Sequence, residues 1–154
     1  MKELWEVGEF VRQIRTRLRF GDISRAPLRL LRVQLRERAA ECDCIARPPD
    51  AWDADLPPRV GQRNASTQAL EDAVALRGLM FRIFPDVCSA VIRMYRRESH
   101  DRLELIVTGS VSRDQRAPAA VRSLAMRAKL LGFRFWLDEG VLEDLQPEEL
   151  AVNS

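Results

Sequence analysis

The hydrophobic residues near the N-terminus recur at steps of three and four positions, which is the spacing of one helical face. This apolar stripe comprises Leu4, Val7, Val11, Ile14 and Leu18. Trp5 and Phe10 widen the stripe, and arginines accumulate toward its end, as the helix dipole favours. The pattern predicts a helix over residues 1–20 that ends at Gly21.

Apolar and polar residues alternate in two runs within residues 28–47. The first run alternates at Leu31, Val33 and Leu35, and the second places small residues at Ala40, Cys42, Cys44 and Ala46. A period of two is typical of half-buried strands, so the segment predicts a hairpin. A helix is the alternative for residues 28–40, because the arginines there also fall three and four positions apart.

Residues 48–64 hold four prolines and several aspartates without any periodicity, and they predict a long loop. Residues 66–138 then predict a helix, two strands, a second helix and a last strand. Ser66 or Thr67 can cap the first of these helices, and Pro118 suits the start of the second. Gly132 is suited to end that second helix. The turn between the two strands falls at residues 98–101.

From residue 39 onward the predicted order is β-α-β-β-α-β. This order is typical of the ferredoxin-like split sandwich, an antiparallel sheet with helices on one face. We therefore predict one α+β domain over residues 1–154, with an extra N-terminal helix and strand before the ferredoxin-like part. Residues 143–154 carry acidic residues and no basic ones, and form an acidic tail.

Composition changes this picture in two respects. The chain has 154 residues, three cysteines and no apolar run long enough for a membrane span, and its charged N-terminus lacks the core of a signal peptide. These features predict a cytoplasmic protein without a disulfide framework. The basic residues are almost all arginine, which indicates either a GC-rich genome or recognition of phosphate and carboxylate groups.

The segment 69–142 resembles the BON domain, a module with the order α-β-β-α-β. The resemblance rests on the strand Leu103–Ser112, which contains Gly109-Ser110-Val111, on the small apolar residues of the following helix, and on Gly132 before a short strand. The resemblance implies a lipid- or partner-binding module of the bacterial envelope that has no catalytic activity.

Catalytic and metal-binding motifs are absent from the sequence. It contains no phosphate-binding glycine loop and no nucleophile elbow. The single histidine, His100, lies in a predicted turn, and Cys42 and Cys44 alternate with acids as small core residues would. We therefore expect no cofactor and no metal, and an enzyme of unknown class is only the third hypothesis.

The two crossover helices pack on one face of the predicted sheet and leave the other face uncovered. Alternation points Arg93, Tyr95, Arg134 and Trp136 toward that face, and arginine between aromatics is the pattern with which sheets stack RNA bases. RNA or single-stranded DNA binding through this face is therefore the alternative function. The competing interpretation, which we favour, is that the N-terminal helix covers the face.

The leading functional hypothesis is a non-catalytic binding or assembly module that acts through protein contacts, with a homodimer as one form. It depends on the arginine-rich N-terminal third, the acidic tail and Trp52 in the proline-rich loop. Trp52 can anchor a partner or fold back onto its own domain. The expected partners are a protein or a second copy, with nucleic acid as the alternative and no membrane span.

Overall fold

Three helices lie on one face of a five-stranded sheet in the computed structural model, which describes residues 2–98 and 102–145. The helices are α1 (Lys2–Arg17), α2 (Pro58–Ile83) and α3 (Leu124–Leu130). The strands of the sheet are β1 (Arg29–Arg36), β2 (Ala39–Ile45), β3 (Ser89–Arg97), β4 (Leu103–Ser112) and β5 (Phe133–Arg134). A separate small hairpin consists of β6 (Leu137–Asp138) and β7 (Val141–Leu142).

The α+β class is confirmed, whereas the ferredoxin-like strand order is not. The sheet runs β1-β2-β3-β4-β5, and β2 and β3 are parallel neighbours while the other pairs are antiparallel. A ferredoxin-like sheet would place another strand between the two strands that α2 connects. Because α2 returns the chain directly beside β2, the sheet is mixed, and the prediction of a purely antiparallel sheet is wrong.

The hairpin of residues 28–47 is confirmed as β1 and β2, so the alternative helix over residues 28–40 is wrong. Two helix starts differ from the predictions. The loop of residues 48–64 is interrupted by a 3₁₀ turn at Ala51–Asp55, and α2 begins at Pro58. The first turns of α2 bury little apart from Gly61, which is why they show no apolar period. The last helix begins after Ser123, whose hydroxyl caps the N–H of Met126 at 3.3 Å, and not at Pro118.

The core lies between the helices and the sheet. Phe10 of α1 packs against Phe84 at the end of α2, with a ring-centroid distance of 5.3 Å. Leu76 and Met80 of α2 complete this layer above Ile92 of β3.

The predicted apolar stripe of α1 is buried only in part. Phe10 and Ile14 are buried, but Leu4 is 72% exposed and Trp5 is 70% exposed. The first turn of α1 therefore does not pack against the core.

Gly109 lies in the middle of the buried strand β4, at a position where the neighbouring strand leaves no room for a side chain. Its cross-strand partner is Phe133, and a Cβ added at position 109 would lie 2.5 Å from Cδ1 of that ring. Gly132, which has a φ of +106°, ends the preceding helix in the left-handed region and starts β5. These two glycines let the short edge strand pack closely against β4.

A buried ion pair fixes the connection between α1 and β1. The Arg47 Nε donates to Asp72 Oδ2 at 2.8 Å, and its Nη atoms donate to the carbonyls of Leu18, Arg19 and Ala26. Gln68 accepts the N–H groups of residues 23 and 24 and donates to Asp72 at 3.1 Å. Because these polar groups form hydrogen bonds with one another, the segment between α1 and β1 can pack on the core without leaving a buried charge unpaired.

Candidate functional site

The sheet surface opposite the helices is the candidate site, and we call it the open face. It is formed by the strand positions whose side chains point away from the core, including Arg32, Glu41, Asp43, Val91, Arg93, Tyr95, Thr108, Ser110 and Arg134. Strand alternation produces this face, because Cys42, Cys44, Ile92 and Met94 take the opposite side and are buried. None of the helices in residues 2–98 and 102–145 lies over it.

The expectation that the N-terminal helix covers the open face is wrong. Phe10 and Ile14 of α1 belong to the same core cluster as Ile92, which points to the helical side of the sheet. The helix contacts α2 and β1 and joins the helical layer. The physical reason is that Phe10 finds a close aromatic partner in Phe84, which lies in that layer.

The structure brings three of the five predicted site residues, Arg93, Tyr95 and Arg134, to this side of the sheet. Arg93 pairs with Thr108, and Thr108 pairs with Arg134, so the two arginines lie two strands apart in one row. Tyr95 lies two positions further along β3 and is half-buried. Trp136 lies between β5 and β6, outside the five-stranded sheet, and is 41% exposed.

Trp52, the fifth predicted site residue, lies elsewhere. It is part of the 3₁₀ turn beside the start of α2 and is 81% exposed. Asp50 caps this turn by accepting the N–H of Trp52 at 3.0 Å and also accepts the N–H of Arg25 at 3.0 Å. These bonds hold the backbone of the turn while its indole projects into solvent, so Trp52 does not fold back onto the domain.

Acidic residues of β2 neutralise the arginines of the open face. The Arg93 Nη1 lies 3.1 Å from Asp43 Oδ1, and its Nη2 lies 3.6 Å from Glu41 Oε1. On the other side, Arg32 pairs with Glu41 at 2.6 Å and with Asp43 at 3.6 Å. The two acids and two arginines form one network across β1, β2 and β3, which we call the charge ladder.

The charge ladder also affects Tyr95, its neighbour on β3. Burial and, secondarily, the charge of Asp43 raise the pKa of the Tyr95 hydroxyl. The phenol is therefore neutral at physiological pH and offers a hydrogen-bond donor on the open face. The sequence pattern places Glu41 and Asp43 only in the alternation of a strand. The missing information was the parallel register that aligns Asp43 with Arg93.

The thiols and the acids form no chemical centre in the described part of the chain. Cys42 and Cys44 are buried in the core, as predicted, and burial raises the pKa of Cys42 to about 12. No group of three or more metal-ligating side chains occurs among residues 2–98 and 102–145. His100 lies outside the described residues.

Comparisons with known proteins identify no relative. No protein-family model, no curated protein and no solved structure matches this chain. Among the helices that the structure describes, none is long and apolar enough to cross a membrane.

Proposed function

We propose that this chain is a non-catalytic assembly module that forms a homodimer by packing its open face against the open face of a second copy. The observation that carries the proposal is the one-sided sheet. The described helices all pack on one face, and the other face holds Tyr95 beside a self-neutralised charge ladder. Aromatic residues and arginine are enriched in protein–protein interfaces relative to the rest of the surface.

The charge of the open face suits a second copy of the same chain. The charge ladder contains two arginines and two acids, so its net charge is zero and it repels neither an identical ladder nor a neutral protein. In a two-fold dimer the same face of both copies is in contact. The arginines of one charge ladder can then lie opposite the acids of the other. Four long strands at about 4.8 Å spacing and about 3.3 Å rise offer roughly 500 Å² of projected surface. This size approaches the roughly 800 Å² per partner of stable interfaces.

The edge of the sheet is a poorer self-association surface than its face. The outermost strand β1 carries Arg29, Arg32 and Arg36, and all three have exposed side chains. Two such strands paired edge to edge would bring like charges together, which is how natural sheets prevent edge aggregation. This arrangement favours the face over the edge.

RNA or single-stranded DNA binding is the second candidate function for the open face. Its support is the single row that contains Arg93 and Arg134, together with Tyr95 on the same side and the exposed Trp136 beyond β5. However, a phosphate would have to displace Asp43 and Glu41 from Arg93 and would meet their negative charges. We therefore place this function below self-association.

Two further proposals accompany the assembly function. The order of α2, β3, β4, α3 and β5 supports the resemblance of residues 69–142 to the BON domain, which favours binding over chemistry. A cytoplasmic location is supported by three cysteines that form no disulfide with one another.

Sedimentation velocity on two matched variants tests the proposed function. Ser110→Arg adds a bulky charge at an exposed position of the open face, and Thr67→Arg adds the same charge on the exposed side of α2. The proposal predicts a dimer for the wild type and for Thr67→Arg, and a monomer for Ser110→Arg. A monomeric wild type at high micromolar concentration, or equal dimerisation of both variants, contradicts it.

A further inference from the structure

A pocket of about 400 Å³ lies away from the open face, at the end of the sheet where β2 and β3 finish. One wall is the N-terminal half of α2, another is the proline segment that follows β2, and β7 closes a third side. At about 30 Å³ for each water-sized group, the volume holds a molecule of roughly a dozen non-hydrogen atoms. Ligand pockets in proteins begin at about this size.

The walls of the pocket are mainly apolar. They include Ile45, Pro48, Ala65, Ile106 and Val141. Ile106 is the extra residue where the register between β3 and β4 shifts, and this bulge turns it toward the helical side. The body of a fitting ligand is therefore apolar.

Two of the arginines that line the pocket are already engaged. Arg47 is buried, and its guanidinium donates hydrogen bonds to Asp72 and to three backbone carbonyls. Arg96 donates to Glu98 at 3.0 Å, to Glu104 at 2.7 Å and to the Leu142 carbonyl at 2.6 Å. Because Arg96 holds Glu98, the acid in the lining is compensated and does not repel an anion.

Two polar lining residues, Arg29 and Ser66, offer hydrogen-bond donors that no described residue accepts. Arg29 makes no side-chain hydrogen bond or ion pair with any residue in the described ranges, although it lines the pocket. Ser66 is buried, and its hydroxyl accepts the N–H of Leu142 at 2.9 Å. The proton of that hydroxyl has no acceptor among the described residues. A guanidinium and a hydroxyl proton beside apolar walls together suit a ligand head that only accepts hydrogen bonds.

We propose that this pocket binds a small monocarboxylate with an apolar body of roughly ten non-hydrogen atoms, held by Arg29 and Ser66. The carboxylate takes the charge-assisted hydrogen bonds of the Arg29 guanidinium, and the Ser66 hydroxyl donates the third bond. The apolar body lies against Ala65 and Ile106. The pocket does not involve the open face, so carboxylate binding and dimerisation can be tested independently of one another.

Isothermal titration calorimetry with octanoate tests the site, with octan-1-ol as the matched ligand that lacks the carboxylate. We expect saturable binding of octanoate at one site per chain, and at least roughly tenfold weaker binding of the alcohol, as loss of a charged hydrogen bond implies. Arg29→Met should weaken octanoate binding to a similar degree, and Ala65→Phe should abolish it by filling the pocket. Arg25→Met, an arginine that does not line the pocket, should bind as the wild type does.

Circular dichroism establishes that each variant is folded, and Arg29→Met provides a surface substitution if Ala65→Phe does not fold. The proposal is overturned if octanoate shows no saturable binding up to millimolar concentration. It is equally overturned if Arg29→Met binds octanoate as tightly as Arg25→Met does, or if the alcohol binds as tightly as the acid.

Discussion

The Arg93 Nη1 lies 3.1 Å from the Asp43 Oδ1 on the open face, and the two residues are direct partners in the parallel pairing of β2 and β3. This contact changes the functional interpretation of the arginine that lies beside Tyr95. In the sequence, Arg93 and Tyr95 indicate a base-stacking surface, whereas in the structure the positive charge is matched by a carboxylate. The open face is therefore neutral near its centre, which favours a protein partner over a nucleic acid.

Oligonucleotide binding should not depend on the open face of the wild type. In a low-salt anisotropy titration with single-stranded RNA, we expect Trp136→Ala to bind no more weakly than the wild type. The double variant Glu41→Gln, Asp43→Asn removes both acids of the charge ladder, so it should bind more tightly and with a steeper salt dependence. A loss of binding with Trp136→Ala would instead place the nucleic-acid function first.

Gly109→Ala should destabilise the fold, because the added Cβ would lie 2.5 Å from the ring of Phe133. Overpacking of this kind costs about 1–3 kcal/mol of unfolding free energy, measurable by urea denaturation. The double variant Gly109→Ala, Phe133→Leu should lose less than the sum of the two single changes. Additive losses would show that the close contact is not the reason for the glycine.

Asp72→Ala should be among the most destabilising single changes in this chain. It leaves the buried Arg47 guanidinium without its carboxylate, and breaking a buried pair in this way costs about 3–5 kcal/mol. The exposed partner of Lys2 offers a control, since Asp86→Ala removes a solvent-screened pair and should leave the urea midpoint nearly unchanged. Similar midpoints for the two variants would contradict the structural role of the buried pair.

Thiol reactivity should separate the three cysteines. Cys88 is exposed, whereas Cys42 and Cys44 are buried with raised thiol pKa values, about 12 for Cys42. With a disulfide reagent at pH 8, one thiol per chain should react quickly, and the other two only after denaturation. Cys88→Ser should remove the fast phase. Three fast thiols in the native protein would show that the core strand β2 is accessible.

The sequence predicted the individual elements better than their arrangement. Alternation identified the strands and the burial of Cys42 and Cys44, because a period of two is a local property. The parallel pairing of β2 with β3 depends on where α2 returns the chain, and no local pattern encodes that position. The same limit hid the charge ladder, since Asp43 and Arg93 are 50 positions apart.

The candidate site was predicted in part for the same physical reason. Alternation placed Arg93 and Tyr95 on one face without any knowledge of the register. It could not decide which layer α1 would join, because Phe10 fits either face until Phe84 is in place. Trp52 was identified only as an aromatic residue in a loop, and its exposure depends on the cap at Asp50.

The most direct test of the proposed dimer is a distance between two copies across the open face. Spin labels at Ser110→Cys or Thr67→Cys, each in a Cys88→Ser background, report on the open face and on the outer side of α2. Face-to-face sheets lie about 10 Å apart, and each helical layer adds about 10 Å. We therefore predict intermolecular distances of roughly 10–30 Å for the Ser110 label and beyond roughly 30 Å for the Thr67 label. No intermolecular dipolar signal from Ser110, or short distances from Thr67 alone, would contradict assembly through the open face.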